Sequence, residues 1–281
     1  MRSVIVQQPS GPETRQPSTA IPVLQGSLPD ILGYLSKELQ RFPRRVPGRL
    51  LVDGVELRYV DLHSFYYQSL QILNQRLYEF DTDEAAPLIV DCGAHIGLAS
   101  LFFARRFPQA TIHAFEADPA IADVLAFNVA SLKLSNVTTQ AKAVWIDGGG
   151  ITFERSSDDS GHVRTHGDAS APDVVTVPSV RLRDLIADRD VSLLKLDVEG
   201  AEFALLQDCD GALGRVRKML LEVHCFGQPD ARLGRLLTVL ENNGFRYGLS
   251  DLHQAPWLGG EVPPFKELST ANYLISVFAW R

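Results

Sequence analysis

The chain has 281 residues, 45% hydrophobic and 22% charged, with a formal net charge of −7. That size suits one large domain or a domain plus an extension, and an acidic chain without a Lys/Arg cluster argues against nonspecific nucleic-acid binding. Cys92, Cys209 and Cys225 are far apart and odd in number, which excludes a disulfide framework or a zinc knuckle and points to a reducing, cytoplasmic setting; no apolar run approaches the ~18 residues of a membrane span, and no signal-peptide core is present at the N-terminus.

Residues 1–26 are polar, rich in Pro, Gln, Ser and Thr, and read as a flexible leader. Ser27 to Phe42 is predicted as a short helix. Ser27 can cap it, Pro29 suits its first turn, and Ile31, Leu32, Leu35 and Leu39 recur at helical spacing. Arg49 to Tyr59 predicts a hairpin around Asp53-Gly54, a strong turn signal between strand-like runs. Asp61 to Phe80 predicts one helix, apolar at Tyr66, Leu70, Leu73 and Leu77. The aromatic cluster at its start (His63, Phe65, Tyr66, Tyr67) suits a packing face, or a wall over a ligand. Residues 27–85 thus form an N-terminal cover on a main domain over 86–281.

From Pro87 strands alternate with helices. Strands are expected at Leu88–Asp91, Thr111–Glu116, Val137–Val144, Ile151–Arg155, Leu193–Asp197, Lys218–Val223 and Tyr247–Leu249. Helices are expected at Leu98–Phe107, Pro119–Leu134, Leu182–Ala187, Ala201–Cys209 and Asp230–Asn243. This alternation indicates an α/β fold with a doubly wound, mostly parallel sheet. The last strand, Tyr273–Trp280, follows a long loop instead of a helix and is expected to insert antiparallel. Asp147 to Pro178 is a long polar stretch holding Gly148-Gly149-Gly150, His162 and His166. It reads as a lid or binding loop, or as a plain surface loop.

Chemistry gathers where strands end, because ligands of open α/β sheets bind beyond the carboxyl ends of strands. Val90-Asp91-Cys92-Gly93-Ala94-His95-Ile96-Gly97 is a strand, a glycine turn and a helix start. Gly93 lets the backbone turn and come close to a ligand, and Gly97 lets the helix pack. Asp91, Gly93 and Ile96 stand where a dinucleotide fingerprint would have three glycines, and Asp91 would repel a pyrophosphate. The turn therefore suits a cationic, phosphate-free ligand such as S-adenosylmethionine; it also suits a plain helix-capping turn. Glu116 ends the next strand, 19 positions after Gly97, where a carboxylate can accept both ribose hydroxyls. Asp118 before Pro119 reads as a helix cap. Lys195, Asp197 and Glu199 end another strand, and Glu202 reads as favourable charge at the following helix N-terminus. Glu222 and His224 share one face of the next strand, and His224 has the chemistry of a general base.

These segments resemble the FkbM family of S-adenosylmethionine-dependent methyltransferases. The likeness lies in Val90 to Gly97, in His113-Ala114-Phe115-Glu116-Ala117-Asp118-Pro119, in the helix carrying Asn128, in Leu193-Leu194-Lys195-Leu196-Asp197-Val198-Glu199-Gly200-Ala201-Glu202, and in Leu221-Glu222-Val223-His224. The Lys195 to Glu202 segment is the most specific part. The family pattern often has Asn at the place of His95 and Pro at the place of Ala117. The resemblance implies a seven-stranded Rossmann-like methyltransferase fold. It implies O-methylation of a hydroxyl on a sugar, glycan or secondary metabolite, and a cofactor set of Asp91, Gly93, His95, Gly97, Glu116, Ala143 and Asp197. His224 or Asp197 would take the hydroxyl proton, and Lys195 would ease alkoxide character. Asp197, Glu199, Glu222 and His224 could together offer ligands to Mg²⁺ or Mn²⁺, although no tight spacing demands a metal. The expected partner is a small-molecule or glycan acceptor, chosen by residues 1–80 and the 147–178 stretch, with a homo-oligomer also open. A nicotinamide dehydrogenase and a non-catalytic nucleoside- or partner-binding module are the competing readings.

Overall fold

The computed structural model describes residues 4–7, 21–154, 162–163, 174–225, 232–254 and 273–281. Expectations for residues 8–20, for His166 and much of the 147–178 stretch, and for a helix start at Asp230 lie outside those residues.

The expected leader is strand at its described ends. β1 (Ile5–Gln7) pairs antiparallel with β2 (Val23–Gly26), and β2 runs parallel to β3 (Gly48–Val52). The reason is Leu24, an apolar residue that is fully buried. Between β2 and β3, α1 (Leu28–Glu38) starts as expected: Ser27 accepts from the Asp30 amide, and Ile31, Leu32 and Leu35 are buried. A single 3-10 turn, Leu39–Arg41, follows. β3 and β4 (Val55–Tyr59) form the hairpin. Asp53 and Gly54 both take positive φ (50° and 83°), as the tightest hairpin turn requires.

The single helix expected over Asp61–Phe80 is shorter and changes pitch. α2 (Leu62–Gln68) is capped by Asp61, and Ser69–Asn74 then winds as a π-helix. Arg76 at φ 56° ends it, because a left-handed residue cannot continue a right-handed helix. Tyr78 and Phe80 therefore come off the helix and pack on Phe103.

The main sheet begins at β5 (Leu88–Cys92). α3 (Leu98–Arg106), β6 (Thr111–Glu116), α4 (Pro119–Ser131) and β7 (Val137–Ala141) follow. The strand expected over Val137–Val144 splits at Lys142. Its second part, β8 (Ala143–Trp145), leaves the sheet, and its Ala143 amide bonds Pro178. The polar stretch after it carries a small antiparallel sheet of β9 (Ile151–Glu154), β10 (His162–Val163) and β11 (Val174–Val177). β12 (Ser179–Arg181) then runs parallel to β8. The chain continues through α5 (Leu182–Ile186), β13 (Val191–Leu196), α6 (Glu202–Asp208), β14 (Val216–Cys225), α7 (Arg232–Asn242), β15 (Arg246–Gln254) and β16 (Tyr273–Trp280).

The seven-stranded sheet has the order β15-β16-β14-β13-β5-β6-β7. β16 is antiparallel to both its neighbours, as its loop connection predicted, and the pairs from β14 to β7 are parallel. The chain moves outward from β5 in one direction to β7 and then in the other through β13 and β14. The point of reversal lies between β5 and β13, where a ligand crevice opens. Alternate residues supply opposite faces: Ile89, Ile112 and Leu193 pack with α3, α4 and the cover, whereas Val90, Leu194 and Leu221 pack with α5, α6 and α7. The cover therefore shares a core with one face of the sheet.

Candidate active site

Parallel pairing in register places Asp91 beside Lys195. Both are buried, Lys195 at 2% and Asp91 at 0% exposure. The Lys195 ammonium donates to the Gly93 carbonyl (2.9 Å) and to Asp197 (3.2 Å), and lies 3.3 Å from Asp91 Oδ1. Gly93 and Asp197 take two of the three donors of the ammonium, and Asp91 Oδ1 is an ion-pair contact. Burial works to lower its pKa, but the carboxylates of Asp197, Asp91 and Glu222 outweigh that and hold it above the usual lysine range. Asp91 also accepts from the Ser100 hydroxyl at 2.7 Å. Lys195 is thus a clamp between two strand tips and the glycine turn.

The glycines serve packing within the chain. A Cβ on Gly93 (φ 76°) would lie 1.8 Å from the Asp197 carbonyl oxygen, so Gly93 makes room for the neighbouring strand tip. A Cβ on Gly97 (φ 96°) would lie 2.8 Å from Leu125 of α4. His95 between them is left-handed (φ 50°), a conformation that Asn and His tolerate better than most residues. Its amide donates to Glu116 Oε2 at 2.9 Å, and its Nδ1 lies 3.1 Å from Gln68 Oε1 of the cover.

Glu116 ends β6 and also accepts from the Asp118 amide at 2.9 Å. Burial pushes its carboxyl up to about 7, against the two backbone hydrogen bonds. Each oxygen keeps lone-pair capacity for a further donor, which is what a ribose diol needs. Asp118 caps α4 through Ala120 and Ile121, as expected. Ala143 lies in a small buried cluster with Ile151 and Val177, against which Ala117, the residue after Glu116, packs.

On the other side, β13 stops at Leu196, and the turn after it is left-handed at Glu199 (φ 53°) and Gly200 (φ 96°). Simple strand alternation therefore does not extend to Glu199. Instead Glu199 approaches His224 Nε2 at 3.4 Å, and Glu202 lies 3.0 Å from Nδ1. Burial works to lower the His224 pKa, but the Glu202 hydrogen bond and the charges of Glu202, Glu199 and Asp197 push it up to about 10. These carboxylates favour the protonated ring, which weighs against His224 as the general base expected there. Glu202 stands in the first turn of α6 as expected, but it is not only helix-end charge. It is 1% exposed and accepts from the Val198 and Gly200 amides as well as meeting His224. Glu222 accepts from the Tyr78 hydroxyl at 2.8 Å, and burial and the Asp197 charge push it up to about 7.

Among the described residues, Asp91, Asp197, Glu199, Glu202 and Glu222 share their surroundings with the cations Lys195 and His224. A cluster with excess negative charge suits a cationic ligand. Asp197, Glu199 and His224 each offer one ligand atom within 4.8 Å of the others, and Glu222 stands outside that group. Sequence reasoning missed Tyr78, Gln68 and the polar role of Asn128. The Asn128 amide accepts from the Arg58 amide (2.8 Å) and donates to the carbonyls of Arg58 and Ile96 (2.9 Å each).

A doubly wound sheet with an antiparallel seventh strand, and an acid-tipped glycine turn at its reversal point, defines a Rossmann-like methyltransferase fold. Within that class the chain belongs to the FkbM methyltransferase family, whose profile, described as the Methyltransferase FkbM domain, matches residues 91–247. It is 28% identical over 231 residues to Methyltransferase sdnD of Sordaria araneosa, covering 69% of this chain and 88% of that protein. It is 27% identical over 230 residues to the 31-O-demethyl-FK506 methyltransferase FkbM of Streptomyces tacrolimicus, covering 69% and 87%. Among solved structures it is similar to a methyltransferase FkbM from Methylobacillus flagellatus KT, at 17% identity and a TM-score of 0.46 over 75% of this chain and 50% of that one. The chain is a methyltransferase, and the nicotinamide dehydrogenase reading falls away. No helix among the described residues is long and apolar enough to cross a membrane.

Proposed function

We propose that the protein is a cytoplasmic, S-adenosylmethionine-dependent O-methyltransferase acting on a hydroxyl of a small molecule, sugar or glycan unit. The observation that carries this reading is the excess of buried carboxylate around the glycine turn, facing the crevice side of the sheet, with Glu116 on the adjoining tip. A relative named for a 31-O-demethyl substrate supports an oxygen acceptor. S-adenosylmethionine would supply a methyl on a sulfonium that departs as a neutral thioether.

The chain's own work is then to bind, align and take a proton. Glu116 receives the ribose hydroxyls in charge-assisted hydrogen bonds, with Gly93, His95, Gly97 and Ala143 shaping the walls. Asp91 acts indirectly, by holding Lys195 and Ser100. Asp197 is the proton acceptor: its side chain is 22% exposed, and Lys195 fixes one oxygen. It takes the hydroxyl proton as the new C–O bond forms, and a positioned base of this kind contributes about 10²–10⁴-fold. His224, held cationic by Glu199 and Glu202, fixes the turn that follows Asp197.

Calorimetric titration with S-adenosylmethionine, S-adenosylhomocysteine and NADH tests the cofactor, and a panel of hydroxylated acceptors tests the reaction. Binding of both adenosyl ligands and not NADH is expected. Glu116→Ala is expected to weaken that binding by about 10- to 100-fold, the worth of charged hydrogen bonds. Asp197→Asn is expected to keep the binding and lose turnover. Unchanged affinity in Glu116→Ala would sink the placement of the cofactor.

A further inference from the structure

Two consecutive residues of the glycine turn are tied to the N-terminal cover. Ile96 receives the Asn128 amide, which also pairs with both backbone groups of Arg58 on β4. His95 reaches Gln68, the last residue of α2, where the α-helix passes into the π-helix. His95 is also the residue whose amide holds Glu116. That amide points at Glu116 only while His95 stays left-handed, a state a side-chain-bearing residue leaves unless its surroundings hold it. With Gln68 Oε1 as acceptor, Nδ1 carries the proton and the ring orientation is fixed.

We propose that Gln68 and His95 form a latch through which the cover sets the cofactor turn, so that cofactor affinity depends on a residue of the cover that does not touch the cofactor. Gln68 is in this sense a positioning residue. The inference rests on the cofactor reading above. Its chain of action is Gln68 to the His95 ring, the left-handed backbone of His95, its amide, and Glu116.

The test is S-adenosylhomocysteine titration of the full chain with Gln68→Ala, Gln68→Glu, His95→Asn and the double variant Gln68→Ala/His95→Asn. Gln68→Ala is expected to weaken binding about three- to tenfold, the worth of one hydrogen bond. Gln68→Glu keeps both the side-chain size and an acceptor for Nδ1–H and is expected to restore wild-type affinity; packing alone would do the same, so the coupling in the double variant is what separates the latch from packing. His95→Asn tolerates the left-handed backbone but falls short of Gln68. It is expected to lose a similar factor, and the double variant no more than either single one. In Gln68→Ala, KM for the cofactor should rise with kcat unchanged.

Wild-type affinity in Gln68→Ala, or losses that multiply in the double variant, would overturn the latch. Should Gln68→Ala fail to fold, His95→Asn and Gln68→Glu decide: wild-type affinity in the first, or loss in the second, overturns it. A wild-type protein that binds no adenosyl ligand overturns the cofactor reading and this inference together. Adenosyl binding that is indifferent to Gln68 overturns this inference alone.

Discussion

Glu116 and Glu222 stand at strand tips on opposite sides of the crevice, and burial pushes both carboxyls up to about 7. They are held by different means. Glu116 accepts from two backbone amides, those of His95 and Asp118. Glu222 accepts from a phenol 144 positions away in the cover, and Asp197, Lys195 and His224 surround it electrostatically. One side is organised by the backbone. The other is a balance of side-chain charges brought together from the cover and two strands. Damage to the second side should therefore cost more, because removing one charge leaves another buried and uncompensated.

The largest effect is expected at the clamp. Lys195→Met leaves Asp91 and Asp197 without their cation and should destabilise the fold by about 3–5 kcal/mol, the range for breaking a buried pair. Denaturant unfolding measures it. Adding Asp91→Asn to that variant should recover part of the loss, and no recovery would show that Asp91 is not the strained partner.

A smaller effect is expected from pH. Glu116 and Glu222 have folded pKa values raised above the ordinary carboxylate range. Their protonated forms favour folding, and that contribution is lost as pH rises from about 4.5 to about 7. His224 is raised from 6.5 to about 10, so its contribution is complete below about 6.5 and is lost as pH rises through about 10. All three push the same way. Calorimetric melting across this window should show Tm contributions falling with rising pH. Glu116→Gln and Glu222→Gln should flatten the lower limb, and His224→Gln the upper one. A His224→Gln profile parallel to wild type would mean the ring is neutral in the folded protein.

The smallest effect is expected from Tyr78→Phe. It keeps the ring on Phe103 and removes only the hydroxyl from Glu222, a loss of about 1 kcal/mol. If Tyr78→Phe matched Lys195→Met in size, the phenol rather than the ammonium would organise that side.

The same contrast explains what the sequence revealed. Asp91 and Glu116 were legible because each ends an apolar run before a turn signal, a local pattern. Lys195 and Asp197 were legible as a crowd of charge, but the role of each was not. The clamp depends on Lys195 facing Asp91 across two paired strands, and sequence order does not contain that register. Glu202 read as ordinary helix-end charge, and only burial against His224 gives it a second task. Tyr78 and Gln68 were hidden inside an apolar periodicity read as one helix over Asp61–Phe80. The π-helical turn and the left-handed Arg76 that redirect them leave no periodic signature. The α/β alternation and the antiparallel last strand were legible because they follow from spacing alone.

The placement of β16 has a consequence for the order in which the protein is made. β15 is at the edge of the sheet, and β16 lies between it and β14. Among the described residues β15 pairs with β16 alone. It leaves the ribosome with no waiting strand to join, and so does the open side of β14, which ends in Glu222 and His224. Neither edge can close until residues 273–280 have been synthesised and have threaded between them. During that interval the nascent chain exposes two unpaired strand edges, a form prone to aggregation. The last described strand to be translated is therefore the one that completes the sheet beside the site.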